Sequence, residues 1–258
     1  MDLHLYDTVA CVTGSSRGIG RAIAAALLRE GARVMLTARG EQALLETAAT
    51  FQSKWGADRV GTYAGDLTEG RTIQNCVNAI RTRWGRLDIL VANVGSGRGK
   101  PGWDLEEDSW TELLKTNLVA SSLMVAQAVP LMKQSPVGSV VLIGSIAGVE
   151  AGPAPIPYSC AKVGLLALNK TLARELADQH IRVNLVAPGN IFVSGGVWDR
   201  KRREDADCVD RYIQAEVPLK RFGTPEEIAD TTAFICSPRA SFMTGACIVV
   251  DGGQVRTW

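Results

Sequence analysis

TVACVTGSSRGIGRAIAAALLREG, residues 8–31, decides how this chain folds. An apolar run (8–13) stops at a cluster of glycines and gives way to a segment with helical apolar spacing (19–31). That is the pattern of a strand, a tight turn and a helix. Gly14 permits the tight turn, Gly18 lets a pyrophosphate approach the backbone, and Gly20 allows close helix–sheet contact. The helix starting near Ile19 would aim its N-terminal amides at the phosphates. The spacing is G-x-x-x-G-x-G rather than GxGxxG, and glycines that serve close contact alone are the competing reading.

Working outward, the same alternation continues. Further strand patterns lie at 33–38, 59–64, 88–93, 139–144, 181–187 and 246–251, with a second strongly periodic helix at 163–177. Strands that are apolar throughout belong to a sheet covered on both faces, and β-α-β alternation makes that sheet parallel. No linker, repeat or low-complexity stretch interrupts the pattern, so one doubly wound α/β domain spanning 1–258 is expected. The exception is 190–224, longer than an ordinary connection and opening with Gly195 and Gly196. A loop at the carboxyl end of a strand can close over a ligand, or form a surface helix with a flexible lead-in.

Composition excludes several classes. Lys and Arg total 28 against 27 Asp and Glu, so no net field calls for nucleic acid or an anionic membrane. No apolar run has the length of a membrane span, and MDLHLYDTVACVTG lacks the pattern of a secretory signal. Six scattered cysteines and two histidines form no metal-ligand spacing, so no metal site is expected. The reading is a cytoplasmic protein with reduced thiols.

The end of the second strand, Thr37-Ala38-Arg39, carries no carboxylate for a ribose hydroxyl pair. Arg39 stands there, with Arg17 in the glycine turn, and the two would favour a 2′-phosphate; two solvated arginines are the alternative. NADP(H) is therefore expected over NAD(H). Asp66-Leu67 follows the third strand, where Asp66 would meet an adenine amino edge or cap a helix. Asn93-Val94-Gly95 follows the fourth, close to a cofactor or simply in a turn. YSCAK (158–162) places Tyr158 and Lys162 on one helical face, where a cation favours the phenolate.

Taken together, TGSSRGIG, Asp66, NVG at 93–95, Asn117, Ser145 thirteen residues before Tyr158, and YSCAK resemble the short-chain dehydrogenase/reductase family over essentially the whole chain. The resemblance implies a three-layer Rossmann fold with a seven-stranded parallel sheet, usually assembled as a homotetramer or homodimer. It implies a catalytic group of Asn117, Ser145, Tyr158 and Lys162. Tyr158 would exchange a proton with the substrate oxygen, Ser145 would hydrogen-bond that oxygen, Lys162 would lower the tyrosine pKa and hold the nicotinamide ribose, and Asn117 would hold a water leading to Lys162. Cofactor contacts carry over to Gly14, Ser16, Arg17, Gly18, Ile19, Gly20, Arg39, Asp66, Leu67, Asn93, Gly95, Tyr158, Lys162, Pro188, Gly189 and Ile191.

Two positions depart from the family pattern. Val94 replaces a usual alanine, and Val193 stands near a usual threonine, leaving Ser194 as the nearest hydroxyl. TGSSRGIG, NLVAS, LARELA, IRVNLVAPG and VVDGG look most like the 3-oxoacyl-(acyl-carrier-protein) reductase branch, which implies NADPH-dependent reduction of a β-keto thioester. An alcohol dehydrogenase of a sugar, steroid or secondary metabolite, and a non-catalytic cofactor sensor or scaffold, are the other readings. Pocket walls are expected from 96–101, 146–156 and 194–215, with Glu150 binding a polar group or facing water. WDRKRRED (198–205) would meet an anionic substrate or form a charged helix face, and Trp198 would cap the pocket or fasten the segment to the body. Cys160, beside Tyr158, is expected to be a small helix-packing residue, with a redox sensor as the alternative. Apolar faces at 119–129 and 164–173 suggest subunit contacts, and Trp258 would dock on a neighbour or fray.

Overall fold

The computed structural model describes residues 1–133, 135 and 138–257, so the expectation for Trp258 lies outside the described residues. Seven strands, β1 (Val9–Val12), β2 (Arg33–Ala38), β3 (Val60–Ala64), β4 (Ile89–Ala92), β5 (Ser139–Ile143), β6 (Arg182–Pro188) and β7 (Cys247–Val250), form one sheet in the order β3-β2-β1-β4-β5-β6-β7. Every pairing is parallel. The order reverses between β1 and β4, so the crevice for a ligand opens at the carboxyl ends of those two strands.

The all-apolar strands have their explanation in two cores. On β1, Ala10 and Val12 enter one core, and Val9 and Cys11 enter the other. Helices α1 (Gly18–Arg29), α2 (Glu41–Trp55) and α9 (Pro225–Cys236) cover the first face, with Ile23, Leu27, Phe51 and Ile228 buried. Helices α3 (Gly70–Trp84), α5 (Ala120–Met132) and α6 (Ile156–Glu175) cover the second, with Ile73, Ile80, Met124 and Leu165 buried. Helix α4 (Glu107–Leu114) reaches α5 through a π-helical turn, Lys115–Val119. The expected helix at 163–177 begins earlier, at Ile156, because Pro157 in its first turn has no N–H to lose.

Residues 190–224 form a helical excursion, α7 (Val197–Glu204) and α8 (Ala206–Glu216), whose two helices have each other as main contact. Its base is pinched shut: Phe192 N donates to the Gly223 carbonyl (3.0 Å) and Gly223 N to the Asn190 carbonyl (3.0 Å). Beyond it, Thr224 and Glu227 form a capping box that starts α9. At the other end of α9, Arg182 of β6 donates to the carbonyls of Ile235 (2.9 Å), Cys236 (3.3 Å), Ser237 (3.1 Å) and Met243 (3.1 Å). A cation there also meets the negative end of the helix dipole. Arg182→Met should therefore cost about 3 kcal/mol, since several carbonyls lose a charged donor at once. Urea unfolding should show a lower midpoint at unchanged slope.

Candidate active site

The turn after β1 is held from two sides. Thr13 Oγ1 accepts from the backbone N–H of Asn93 (2.8 Å) and Val94 (3.0 Å). Asn93 Nδ2 donates back to the carbonyls of Thr13 (2.9 Å) and Gly14 (3.2 Å). From β2, Thr37 accepts the Gly14 N–H with its hydroxyl (3.2 Å) and the Ser15 N–H with its carbonyl (2.8 Å). Gly14 and Gly18 sit at φ +65° and +57°, while a Cβ on Gly20 would collide with the Gly14 carbonyl and come within 2.6 Å of Asn93 Nδ2. Helix α1 starts without a side-chain cap and without an acid in its first turn. Its positive end is thus uncompensated, which fits a bound diphosphate. Ser16 is tied through its carbonyl to the Thr47 hydroxyl (2.9 Å), and Ile19 packs on the core.

Exposed Arg17 and Arg39 stand at the N-cap of α1 and just past β2. Asp66 Oδ1 accepts the Thr68 N–H at 2.9 Å, and the N-cap of α3 is Glu69; Asp66 therefore closes a local turn instead of capping the helix. Burial pushes the Asp66 carboxyl up, but the Thr68 bonds and the charges of Arg39 and Lys115 outweigh it and hold it below its ordinary value. Leu67 is a core residue. On the other side of the crevice, Pro188 ends β6, Gly189 N donates to the Val250 carbonyl (2.9 Å), and Ile191 is bridged to Gly223. Val193 packs on the glycine turn: a Cβ on Gly18 would meet its Cγ1 at 3.0 Å.

Asn117, Ser145, Tyr158 and Lys162 converge from three segments. Asn117 is fully buried in the π turn; Nδ2 donates to the carbonyls of Leu113 (3.0 Å) and Ser96 (3.1 Å), and Oδ1 accepts the Ser96 N–H (2.9 Å). It clamps the loop after β4. Ser145 follows β5 and accepts the Ala147 N–H (3.1 Å), starting a short turn that ends at Gly148. A Cβ on Gly148 would lie 2.6 Å from the Lys162 backbone, so only glycine lets this turn rest on α6. The contact brings Ser145 into hydrogen bonding with Tyr158. Lys162 is 4% exposed, donates to the Ile143 carbonyl (2.9 Å) and lies 5.6 Å from the centre of the Tyr158 ring. Gly95 fits against Asn117 Oδ1 and Lys162 Nζ, and Gly97 against the Tyr158 ring.

A family model described as enoyl-(acyl carrier protein) reductase matches residues 14–254. The mouse dehydrogenase/reductase SDR family member 4 is 35% identical over 252 residues, covering 96% of this chain and 88% of that one. The 3-oxoacyl-(acyl-carrier-protein) reductase of Salmonella typhimurium is 36% identical over 246 residues, covering 95% and 96%. This chain belongs to the short-chain dehydrogenase/reductase family. Among solved structures, the L-sorbose reductase of Gluconobacter frateurii complexed with NADPH and L-sorbose superposes with a TM-score of 0.93 at 32% identity, covering 100% of both chains. As a short-chain dehydrogenase/reductase it is an NAD(P)(H)-dependent oxidoreductase acting on alcohol and carbonyl groups.

One electrostatic expectation for this short-chain dehydrogenase/reductase is reversed. The Tyr158 hydroxyl is held above its ordinary value, because burial outweighs the opposing hydrogen bond from Ser145. Lys162 is a weak partner for a phenolate: its ammonium is turned to the Ile143 carbonyl, and burial pushes it down to about 8. The resemblance pointed past several residues that shape the site. Thr13 and Thr37 were legible only as small β-branched residues at strand ends, yet their hydroxyls fix the glycine turn. Glu150 takes neither expected role, since its carboxylate accepts the backbone N–H groups of Arg256 (2.7 Å) and Thr257 (3.2 Å). Trp198 stacks on Tyr212 of α8 (5.3 Å between centroids) and tilts against Phe222 (5.5 Å), fastening the excursion together.

The buried ammonium has a measurable signature. A base whose pKa is lower folded than unfolded destabilises the fold while both states are charged, below about 8, and the penalty disappears as pH passes the unfolded value. Wild type should therefore gain on the order of 3 kcal/mol relative to Lys162→Met between pH 7 and about 10.5, by the free energy per pKa unit. Parallel denaturant curves across that range would show a flat difference if the ammonium were solvated.

Proposed function

We propose that this chain is an NADPH-dependent reductase converting a small ketone to a secondary alcohol. The observation that carries the reading is the geometry around Tyr158, hydrogen-bonded to Ser145 and with Lys162 Nζ 5.6 Å from its ring centre. The bound nicotinamide supplies the hydride. As negative charge grows on the carbonyl oxygen, Ser145 donates to it and Tyr158 delivers its proton. Lys162 lies one helical turn further along α6, where its ammonium would turn to the ribose hydroxyls and stabilise the phenolate left behind. Asn117 fixes the loop at Ser96 and would hold a water through which a replacement proton reaches Lys162.

Arg17 and Arg39 support NADPH over NADH, as does the lack of an acid at the end of β2. The NADPH complex of the L-sorbose reductase supports the same choice. The cations of α7 bear on the substrate. Arg200 pairs with Glu204 (3.9 Å), Arg202 with Asp210 (3.4 Å), Arg203 with Asp199 (2.7 Å), and Lys201 lies over the Trp198 ring (4.8 Å). A helix whose cations already have partners offers little to an anionic carrier, so a neutral ketone such as a ketose is favoured over a β-keto thioester. α7 and α8 are read as the lid over that ketone. Exposed Val119, Leu123 and Val163, with Val249 on edge strand β7, support a homodimer or homotetramer. Six free cysteines fit a reducing cytoplasm.

Two measurements test this. Tyr158→Phe should lower kcat by about 10²–10⁴-fold while NADPH affinity changes less than about twofold, as expected of a general acid. Turnover unchanged by the substitution would reject Tyr158 as the general acid, and a wild type that binds NADPH without turning over any carbonyl would return the chain to a sensor or scaffold. Arg39→Ala and Arg17→Ala should each weaken NADPH by about tenfold or more, a lost charge-assisted bond, with NADH unaffected. Equal losses for both cofactors would reject the phosphate clamp. Assays with a ketose and a short β-keto thioester side by side choose between the substrate classes.

A further inference from the structure

The segment that follows β7 joins three walls of the cleft. Gln254 is half-buried and uses both ends of its amide: Oε1 accepts from Asn190 Nδ2 at 2.7 Å, and Nε2 donates to the Tyr212 hydroxyl at 3.1 Å. Asn190 immediately precedes Ile191 on the loop leaving β6, and Tyr212 carries the stack with Trp198 that unites α7 with α8. Further along, Glu150, five residues past Ser145, holds the backbone N–H groups of Arg256 and Thr257, and Arg256 Nη2 reaches Glu216 at the end of α8 (3.3 Å). The root of the segment is itself fixed, because the Asp251 carboxylate accepts the N–H groups of Gly253 (2.8 Å) and Val255 (2.6 Å).

The helical pair that this segment touches has little else to hold it. Helix α7 buries no side chain, and α8 buries Val209 and Ile213. Their base is pinched where Ile191 meets Gly223. Elements with few buried apolar contacts open locally at low cost, so a small number of polar bonds sets how often they do.

We propose that Gln254 is a positioning residue and that the segment 254–257 is a latch, holding α7–α8 down on the cleft and in register with the Asn190–Ile191 loop. Opening the helical pair breaks the Gln254–Tyr212 and Arg256–Glu216 bonds, while Glu150 keeps the strap on the substrate loop. A residue remote from the hydride thus links the lid to the loop that carries Ile191, one of the expected cofactor contacts. The inference rests on the reading of α7–α8 as a lid, and its test needs no substrate.

The test is limited trypsin digestion of the full-length protein, following cleavage within α7 by mass spectrometry. Arg200, Lys201, Arg202 and Arg203 are all exposed tryptic positions on that helix, and cutting a helix requires its local opening. Gln254→Leu should be cut in α7 at least about fivefold faster than wild type, with the melting temperature shifted by no more than about 2 °C. Gln254→Glu keeps an acceptor for Asn190 and offers one to the Tyr212 hydroxyl, and should bring the rate back to within about twofold of wild type. Arg256→Ala, which removes an exposed contact to α8, should also speed the cut, so the outcome does not hang on one variant folding well. Cleavage of Gln254→Leu and Arg256→Ala at the wild-type rate would overturn the latch even if the reductase activity is found. Faster cleavage with rescue by Gln254→Glu supports it whichever carbonyl proves to be the substrate.

Discussion

A lysine ammonium held at 4% exposure is the constraint around which this site is arranged. Desolvation alone pushes Lys162 down to about 8, and the rest of the pocket limits that cost. The Ile143 carbonyl at the end of β5 accepts one hydrogen bond from it. Gly148 lets the turn from Ser145 rest directly on the Lys162 backbone, and Gly95 leaves room beside Nζ. Any larger residue at either glycine would push apart the turn, the loop and the helix that carry the four polar groups. The serine–tyrosine contact is therefore a consequence of how tightly α6 is approached, and not only of four residue types being present.

The opposite side of the crevice follows from a second close approach. Gly20 brings α1 onto the Gly14 carbonyl and the Asn93 amide, and the Thr13 hydroxyl gathers the N–H groups of Asn93 and Val94. Because Asn93 follows β4 and Thr37 lies on β2, the turn after β1 is stitched to both neighbours at the point where strand order reverses. The uncompensated start of α1 and the buried lysine lie on the two sides of one opening. One side is suited to an anion, and the other to a developing oxyanion.

The strands and their parallel order were legible because a doubly covered sheet forces continuous apolar runs; every expected strand is present within a residue or two of its expected ends. The glycine turn and YSCAK were legible because they are contiguous. Contacts built across long separations were not. Glu150 and Arg256 are far apart in the chain, as are Asn190 and Gln254, and a lone carboxylate or amide in sequence carries no mark of its partner. The sign of the Tyr158 shift was not legible for a related reason. Adjacency of a cation is visible at i and i+4, whereas the direction its ammonium takes, here to the Ile143 carbonyl, and the burial of the phenol depend on the surrounding fold.

Val193 shows how a departure from the family pattern can change the kind of coupling without breaking it. A hydroxyl at this position would offer a hydrogen bond; the valine instead sets a branched methyl pair against Gly18, on the turn suited to the diphosphate. Glycine is needed at Gly18 twice over, for its positive φ and for the space Val193 fills. The segment leading into α7 therefore lies directly on the glycine turn, with Gly195 beside Arg17 and Gly195 N bonded to Asp199 at 2.7 Å. An apolar seal of this kind is non-directional. It allows the helical pair to pivot over the turn, while orientation is supplied by the directional bonds at the far side, where Gln254 meets Tyr212.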